Sequence, residues 1–455
     1  MKPLKSSFWL HSIFYTFLQR FSLIFFGAVS FMVLVRDLNV PQNAVWALYL
    51  TSLTLFETVK QGLLRNPTIK FLSLPEYKEK KNEIQYASLV INVLFSFIAI
   101  AAILIFGKQI AGMLKTPEIQ PLLTRSVLLI VLLIPFSHCE VMLQSNYKFS
   151  ALFWAYFIRQ GLFFGGIVVL HFFFKEHFNV MNMLMIQIIA LFFGVVIMLI
   201  NARSILLRKI HFNKEIVSGM LHFGKYIFGT NLFSNLARNF DQYLTANILS
   251  PAEGKYYVAY YSVTYRIYNM MDVPTLAVAD VLYPKSVEAL ESDGLGKVKY
   301  QFERMIATIL AIIVPASLFI FIFPKFIIYI LAGPEYYGVI QILQLTVLFS
   351  IVRPLGYLFG STLDAIGKPK VNFWVGLSYM LISLVVNYIC LYQWGGIGAA
   401  YASMINYTIG MWMMIAILKK YIHIELKNVY IYFLNVYKDA FKLLKKFRKS
   451  PTPVS

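Results

Sequence analysis

Residues 84–106 read IQYASLVINVLFSFIAIAAILIF, an uncharged and mostly apolar run of the length needed to cross a membrane. A helix takes about 20 such residues to span a hydrocarbon core of about 30 Å. Similar runs recur at 12–35, 42–64, 121–144, 150–173, 181–202, 219–246, 256–283, 303–323, 337–361, 371–393 and 396–418. The runs lack the alternation typical of a membrane barrel, and helices satisfy their own backbone groups in lipid. The sequence therefore predicts an all-α integral membrane protein with about twelve transmembrane helices.

The composition of the 455 residues supports this fold class. Hydrophobic residues make up 59% of the chain and charged residues 14%, against about 25% charged in soluble domains. The first run is long enough to span, so it is interpreted as the first helix rather than as a cleaved signal peptide. Cys139 and Cys390 lie in apolar runs without a complete set of metal ligands nearby. We therefore predict packing roles for both cysteines, no metal site and no cofactor.

The formal net charge of +20 invites a nucleic-acid interpretation, so the positions of the 41 Lys and Arg residues matter. With twelve spans, the N-terminus, the loops after even-numbered spans and the C-terminal tail share one side and hold most of them. The opposite loops hold only Arg36, Lys108, Lys115, Lys175, Lys255 and Lys325. The positive-inside rule therefore predicts that both termini are cytoplasmic, and nucleic-acid binding is rejected.

The tail after the last span mixes aromatic and aliphatic residues with many lysines between Lys427 and Lys449. These charges interrupt it too often for it to span a bilayer. Two interpretations stay open, namely an amphipathic helix on the anionic cytoplasmic leaflet and a disordered basic tail.

An internal repeat divides the chain into two halves at a shift of about 217 to 220 residues. The shift matches Arg20 to Arg238, Pro67 to Pro284, Phe106 to Phe323, Lys108 to Lys325, Pro117-Glu118 to Pro334-Glu335, Pro135 to Pro354 and Trp154 to Trp374. Six helices per half give both copies the same orientation, which predicts two pseudo-symmetric six-helix lobes with a cavity between them. The predicted domains are an N-terminal lobe at 1–203, a cytoplasmic linker at 204–218, a C-terminal lobe at 219–418 and a basic tail at 419–455.

Polar residues inside the spans are the first functional candidates, because charges in a bilayer normally face a partner or a water-filled cavity. The first two helices of each half carry polar stripes. These are Thr16, Gln19 and Arg20; Thr54, Glu57, Thr58 and Gln61; Asn231, Asn235, Arg238, Asp241 and Gln242; and Ser262, Arg266, Asn269 and Asp272. Four such faces would line one cavity.

Arginine suits an anionic ligand, since its planar guanidinium donates several hydrogen bonds to phosphate oxygens and stays charged. The predicted substrate-binding residues are Arg20, Arg238, Arg266, Asn231, Asn235, Asn269 and Arg159. The candidates for coupling to a proton or sodium gradient are Glu57, Asp241 and Asp272. The alternative is that these arginines and carboxylates pair with one another as internal braces. Arg20 could also extend to the cytoplasmic interface.

Four prolines fall inside predicted spans, namely Pro135, Pro274, Pro315 and Pro354. Each removes one backbone hydrogen bond from its helix. They are candidate hinges, with ordinary helix kinks as the alternative.

Enzyme signatures are absent from the sequence. It contains no Gly-Lys-Ser/Thr phosphate loop, no His-Glu-x-x-His zinc motif and no Gly-x-Ser-x-Gly nucleophile elbow. We therefore predict that the chain is not an enzyme.

Two short motifs carry a resemblance to a known family. Gly367-Lys368-Pro369-Lys370 lies between spans ten and eleven, and Gly396-Ile397-Gly398-Ala399-Ala400 opens span twelve. With the six-plus-six repeat and the arginine in the first span, the chain to about residue 418 resembles the Wzx-type oligosaccharide flippases. These belong to the multidrug/oligosaccharidyl-lipid/polysaccharide (MOP) exporter superfamily.

The resemblance implies a MATE-like transporter of two lobes that opens alternately to either side of the bacterial inner membrane. Its implied cargo is an undecaprenyl-diphosphate-linked oligosaccharide for surface polysaccharide synthesis, moved from the cytoplasmic to the outer leaflet. A cationic lumen is also implied, which Arg20, Arg238 and Arg266 would supply here. Implied partners are membrane lipids, a polysaccharide polymerase and glycosyltransferases, and one chain would enclose the cavity as a monomer.

Two alternatives stay open. One is a multidrug or cation extruder of the same superfamily, although the arginines argue against a cationic cargo. The other is a non-transporting scaffold in envelope assembly.

Overall fold

The computed structural model describes residues 6–77, 79–206, 211–276, 286 and 294–449. These ranges are almost entirely helical. The helices in chain order are α1 (Ser6–Asp37), α2 (Val40–Ser73), α3 (Lys81–Met113), α4 (Ile119–Ser145), α5 (Phe149–Phe173), α6 (Val180–Ala202), α7 (Lys214–Ile248), α8 (Pro251–Met271), α9 (Leu295–Ile322), α10 (Pro324–Leu331), α11 (Val339–Val347), α12 (Arg353–Ala365), α13 (Pro369–Trp394), α14 (Gly398–Ile422) and α15 (Leu426–Lys449). Over their described residues, the predicted spans lie mainly on these helices.

The tenth predicted span, 337–361, is broken rather than continuous. It consists of α11, a 3-10 turn at Phe349–Val352 and α12, and the two segments are bent by 43°. Pro354 lies in the first turn of α12, where a backbone N–H has no helical partner, so the proline fits at the break. Pro135 and Pro315 lie inside the continuous helices α4 and α9.

Among the residues that the structure describes, seven helical ranges are long and apolar enough to cross a membrane, and the bent pair α11 and α12 would make eight. Lys370–Ile422 counts once in this number although it contains most of α13 and all of α14. Three helices that match predicted spans, α2, α7 and α8, do not pass this test. They carry three of the four predicted polar stripes, so their low hydropathy follows from the candidate site residues themselves.

Contacts divide the chain into two compact units. Unit 1 contains residues 1–262 and 331–335, and unit 2 contains 263–330 and 336–455. Helix α7 and the first half of α8 therefore group with unit 1. The predicted boundary at 204–218 follows the sequence repeat, which is a different criterion, and it stays a prediction.

Within unit 1, α7 packs closely against α2. Gly62 permits this approach, because a Cβ at that position would lie 2.9 Å from a backbone nitrogen of α7. Asn231 Nδ2 donates to the backbone oxygen of Thr58 at 3.0 Å, and Thr51 Oγ1 donates to Gln242 Oε1 at 2.7 Å. Two members of the α7 stripe thus bind α2 directly.

Over its described residues the C-terminal tail forms helix α15 rather than a disordered segment, and α15 packs along α9 in unit 2. Its location on the cytoplasmic leaflet stays a prediction. At its start, Lys299 Nζ donates to Glu425 Oε1 at 2.5 Å, and Asn428 Nδ2 donates to Glu303 Oε2 at 3.0 Å. The hydrogen bond and positive charge of Lys299 lower the pKa of Glu425. These contacts attach the beginning of α15 to the beginning of α9.

Further along the two helices, the Tyr437 hydroxyl donates to the backbone oxygen of Ala311 at 2.6 Å. In a regular α-helix that oxygen would accept from the N–H of residue 315, which here is a proline without an N–H. Tyr437 therefore supplies the donor that Pro315 removes.

We expect Tyr437→Phe to destabilise the protein by about 1–3 kcal/mol, the usual cost of leaving a buried acceptor without its partner. The measurement is the thermal unfolding midpoint of the purified chain in detergent. Tyr430→Phe is the matched control, because Tyr430 lies on the same helix and is 63% exposed. Equal midpoints for the two variants would show that this hydrogen bond adds nothing to stability.

Candidate functional site

Unit 1 contains a cluster of charged side chains on three of its helices. This charge cluster comprises Glu57, Lys60 and Arg65 of α2, Glu140 of α4, and Tyr156 and Arg159 of α5. The six residues line a cavity of about 50 Å³. One water molecule needs about 10–15 Å³, so the cavity has room for a few.

Glu57 and Arg159 face each other in this cavity. Glu57 Oε1 lies 3.8 Å from Arg159 Nη2, and the guanidinium also lies over the Phe136 ring, 5.1 Å from its centroid. Glu57 Oε1 is buried and accepts no hydrogen bond from the described residues. An ion pair therefore holds the carboxylate while one acceptor position stays open.

The remaining members of the charge cluster, Lys60, Arg65 and Tyr156, form hydrogen bonds to residues of α4. The Tyr156 hydroxyl donates to Glu140 Oε1 at 2.7 Å, and Lys60, which is 3% exposed, donates to the backbone oxygen of Leu133 at 3.2 Å. Arg65 Nε donates to a glutamine side chain of α4 at 2.9 Å. Three basic side chains thus face two carboxyl groups. Nearby basic side chains hold a carboxylate in its charged form, so a cation taken up here must displace a basic side chain from its carboxylate.

The predicted stripe on α7 is not uniform in its surroundings. Asn235 and Asp241 are 5% and 6% exposed, and the Asp241 carboxylate accepts from the next backbone N–H at 2.8 Å. Arg238 is exposed, and its Nε donates to a backbone oxygen one turn earlier at 3.2 Å. Arg238 is therefore the member of the stripe that offers a charged group at the surface of unit 1.

The other predicted ligand residues lie on α1 and α8. Arg20 is exposed on α1, Arg266 is half-buried on α8, and Asn269 is exposed on α8. Arg266 and Asn269 belong to unit 2, whereas Arg20 belongs to unit 1. The single cationic cavity predicted from these residues draws on both units and stays a prediction.

Asp272 is held in an ion pair inside unit 2. Its carboxylate accepts hydrogen bonds from Arg353 Nη2 at 2.5 Å and from Arg353 Nε at 3.2 Å. The Asp272 side chain is 4% exposed and the Arg353 side chain 10% exposed. The Tyr357 hydroxyl also donates to Asp272, and Arg353 Nη1 donates to the Tyr407 hydroxyl oxygen at 3.2 Å. This geometry agrees with the bracing interpretation of Asp272. It ties α8 and α14 to the first residue of α12, next to the helix break.

The prediction from sequence left out Lys60, Glu140 and Tyr156. The signal for Lys60 and Glu140 was present, because both are charged residues within the predicted spans 42–64 and 121–144. The stripe pattern along single helices did not select them, since their partners lie on other helices.

The fold is that of the MOP exporters. An inward-facing multidrug resistance MATE family transporter superposes with a TM-score of 0.74 at 16% identity, covering 90% of this chain and 99% of that one. The lipid II flippase MurJ in an inward closed conformation superposes with a TM-score of 0.73 at 15% identity, and the match covers 97% of this chain and 94% of that one. The chain therefore has an all-α, MATE-like membrane fold.

Residues 76–341 match the family described as polysaccharide biosynthesis protein, and the chain belongs to that family. The lipopolysaccharide biosynthesis protein WzxC of Escherichia coli K12 is 21% identical over 361 residues, covering 76% of this chain and 68% of WzxC. A membrane protein of Methanocaldococcus jannaschii is 25% identical over 242 residues, and the match spans 46% of that relative, about half its length. The resemblance to Wzx-type flippases is thus confirmed. The family and its structural neighbours are transporters and flippases rather than enzymes, as the sequence predicted.

Proposed function

We propose that this transporter flips a polyprenyl-diphosphate-linked oligosaccharide from the cytoplasmic to the outer leaflet for surface polysaccharide synthesis. The transport cycle is alternating access by a monomer in the bacterial inner membrane, with both termini cytoplasmic. A polysaccharide polymerase and glycosyltransferases are its proposed partners.

The observation that carries the proposal is the exposed Arg238 on helix α7, which lies in a predicted transmembrane span. Arg238 presents a permanent positive charge on α7, within a predicted span. A charge there is costly in lipid unless it serves an anionic ligand or a polar cavity. The diphosphate of a lipid-linked glycan is such a ligand, because a guanidinium matches phosphate oxygens in charge and geometry.

We expect Arg238→Ala to reduce export of the lipid-linked glycan by about tenfold or more, the usual weight of a hydrogen bond to a charged group. The measurement is surface glycan in cells, together with the undecaprenyl-linked glycan that accumulates on the cytoplasmic side. Arg304→Ala is the matched control, since Arg304 is exposed on α9 outside the stripes. Export at the wild-type level in both Arg238→Ala and a deletion strain would rule out this function in that host.

We further propose that protons drive the cycle through the charge cluster, with Glu57 as the group that binds them. The open acceptor position on Glu57 Oε1 supports this role, because a proton needs one oxygen whereas a metal cation such as sodium needs several oxygen ligands. In this scheme, protonation releases Glu57 from Arg159, which changes the contact between α2 and α5. The earlier candidates Asp241 and Asp272 become supporting residues in this proposal.

Glu57→Gln keeps the size of the side chain and removes its titration. We expect flipping in vesicles with an imposed pH gradient to lose most of its response to that gradient, whereas Glu253→Gln at the exposed start of α8 leaves the response unchanged. An unaltered response in Glu57→Gln would exclude this carboxylate as the proton site. Flipping driven by a sodium gradient alone would overturn proton coupling.

The two other sequence-based alternatives predict different results in the same strains. A drug extruder would leave glycan export intact and change resistance to cationic compounds. A scaffold would tolerate loss of the stripe residues while its deletion still impaired envelope assembly.

A further inference from the structure

We propose that a groove on the first half of α7 binds the phosphate headgroup of an anionic membrane phospholipid. This basic groove is lined by one face of α7 from Lys214 to Phe228 together with Leu63 of α2, and it has a volume of about 640 Å³. All of it lies within unit 1. The inference is independent of the cargo proposed above.

The groove combines basic and apolar side chains along one helix face. Lys214, Leu221, Lys225 and Phe228 are spaced at i, i+7, i+11 and i+14, which places them on the same side of α7. His222 also lines this face. At about 1.5 Å per residue, the two lysines are about 16 Å apart along the helix axis.

The positive charge of the groove is not cancelled locally. Neither Lys214 nor Lys225 forms an ion pair with an acidic side chain in the part of the chain that the structure describes. Lys225 Nζ lies 3.3 Å from His222 Nδ1 and 5.1 Å from the Tyr226 ring centroid, so its neighbours are neutral or basic. Glu215 follows Lys214 in sequence but does not line the groove.

The groove starts at Lys214, before the predicted span 219–246, and its residues Lys225 and Phe228 lie inside that span. Lys214 is the first residue of α7, at the end that the positive-inside rule places in the cytoplasm. Phe228 lies 14 residues further on, within the predicted span 219–246, beside Leu63. A phospholipid follows the same path, because its charged headgroup lies at the membrane surface and its acyl chains extend into the hydrocarbon.

The combination of basic and apolar side chains in the groove favours a phospholipid over a soluble anion. Inorganic phosphate would gain nothing from Leu63, Val217, Leu221 and Phe228, whereas acyl chains bury apolar surface against them. Basic pockets between membrane helices on the cytoplasmic side commonly hold anionic lipid headgroups. A zwitterionic headgroup would not satisfy the excess positive charge.

The test is lipid binding to the purified full-length chain by native mass spectrometry, comparing phosphatidylglycerol with phosphatidylcholine of the same acyl composition. We expect selective retention of phosphatidylglycerol and about fivefold weaker binding in Lys214→Gln/Lys225→Gln, because the single phosphate contacts one of two lysines that lie about 16 Å apart. Lys80→Gln/Lys81→Gln is the matched control, because it removes the same charge from exposed positions at the start of α3. The control should bind phosphatidylglycerol like the wild type.

Three results would overturn the proposal. They are equal retention of the two lipids, wild-type binding by the Lys214/Lys225 variant, and displacement of phosphatidylglycerol by millimolar inorganic phosphate. If the glutamine variant unfolds, the test uses Lys214→Arg/Lys225→Arg instead. This variant keeps the positive charge of the groove and should therefore retain phosphatidylglycerol. Loss of the lipid from that folded arginine variant would count against a charge-based site.

Discussion

Gly398→Ala is expected to abolish stable folding of unit 2. A Cβ at Gly398 would overlap the backbone oxygen and the backbone carbon of Cys390. Both obstacles are main-chain atoms of α13, and no side-chain rotation can relieve the overlap. The neighbouring Ala399 and Ala400 are fully buried, so α14 has no free space into which it can move.

Overpacking costs about 1–3 kcal/mol when the core can adjust, and a backbone clash of this size belongs above that range. The measurement is the amount of correctly inserted monodisperse protein and its thermal unfolding midpoint. Gly376→Ala on α13 is the matched control, because no atom lies within 4 Å of its added Cβ. Wild-type yield and midpoint in Gly398→Ala would contradict the close approach of the two helices.

The second large effect is expected from breaking the ion pair at the helix break. Arg353→Met leaves the Asp272 carboxylate, whose side chain is 4% exposed, without its cationic partner. Removing one member of a buried pair costs about 3–5 kcal/mol. The unfolding midpoint should fall accordingly, and Asp272→Asn alone should also lower it.

A double variant separates bracing from a transport role. Replacing both partners with apolar residues, as in Asp272→Leu/Arg353→Met, removes the unpaired charge and should recover much of the lost stability. A double variant no more stable than Arg353→Met would show that the pair is not the source of the effect. Single variants of wild-type stability that stop transport would instead place Asp272 in the coupling machinery.

Local chemistry explains why the short motifs were informative. Gly367 adopts a φ of +72° after the end of α12, and Pro369 occupies the first turn of α13. Glycine accommodates that backbone conformation without strain, and a proline in a first helical turn loses no hydrogen bond. The motif containing Gly398 marks the close contact between α13 and α14 described above.

The charged residues were harder to interpret from sequence. Glu57 and Arg238 lie on the helices α2 and α7. The sequence pattern along one helix predicts which face a residue occupies, but it does not predict which side chains of other helices contact it. Arg353 pairs with Asp272, 81 positions earlier in the chain, and Lys60 donates to α4, 73 positions later. The spacing of residues along the sequence does not predict which of these distant side chains will pair.

The fold class, the expected orientation in the membrane and the family resemblance could be predicted from the sequence, because uncharged runs, loop charges and short turn motifs are local or additive properties. The shared cavity of Glu57, Lys60 and Glu140, the ion pair of Asp272 with Arg353, and the hydrogen bond from Tyr437 to Ala311 became visible in the folded chain. Each of these contacts joins side chains on different helices. Their formation depends on helix packing and rotation, which hydropathy along a single chain does not encode.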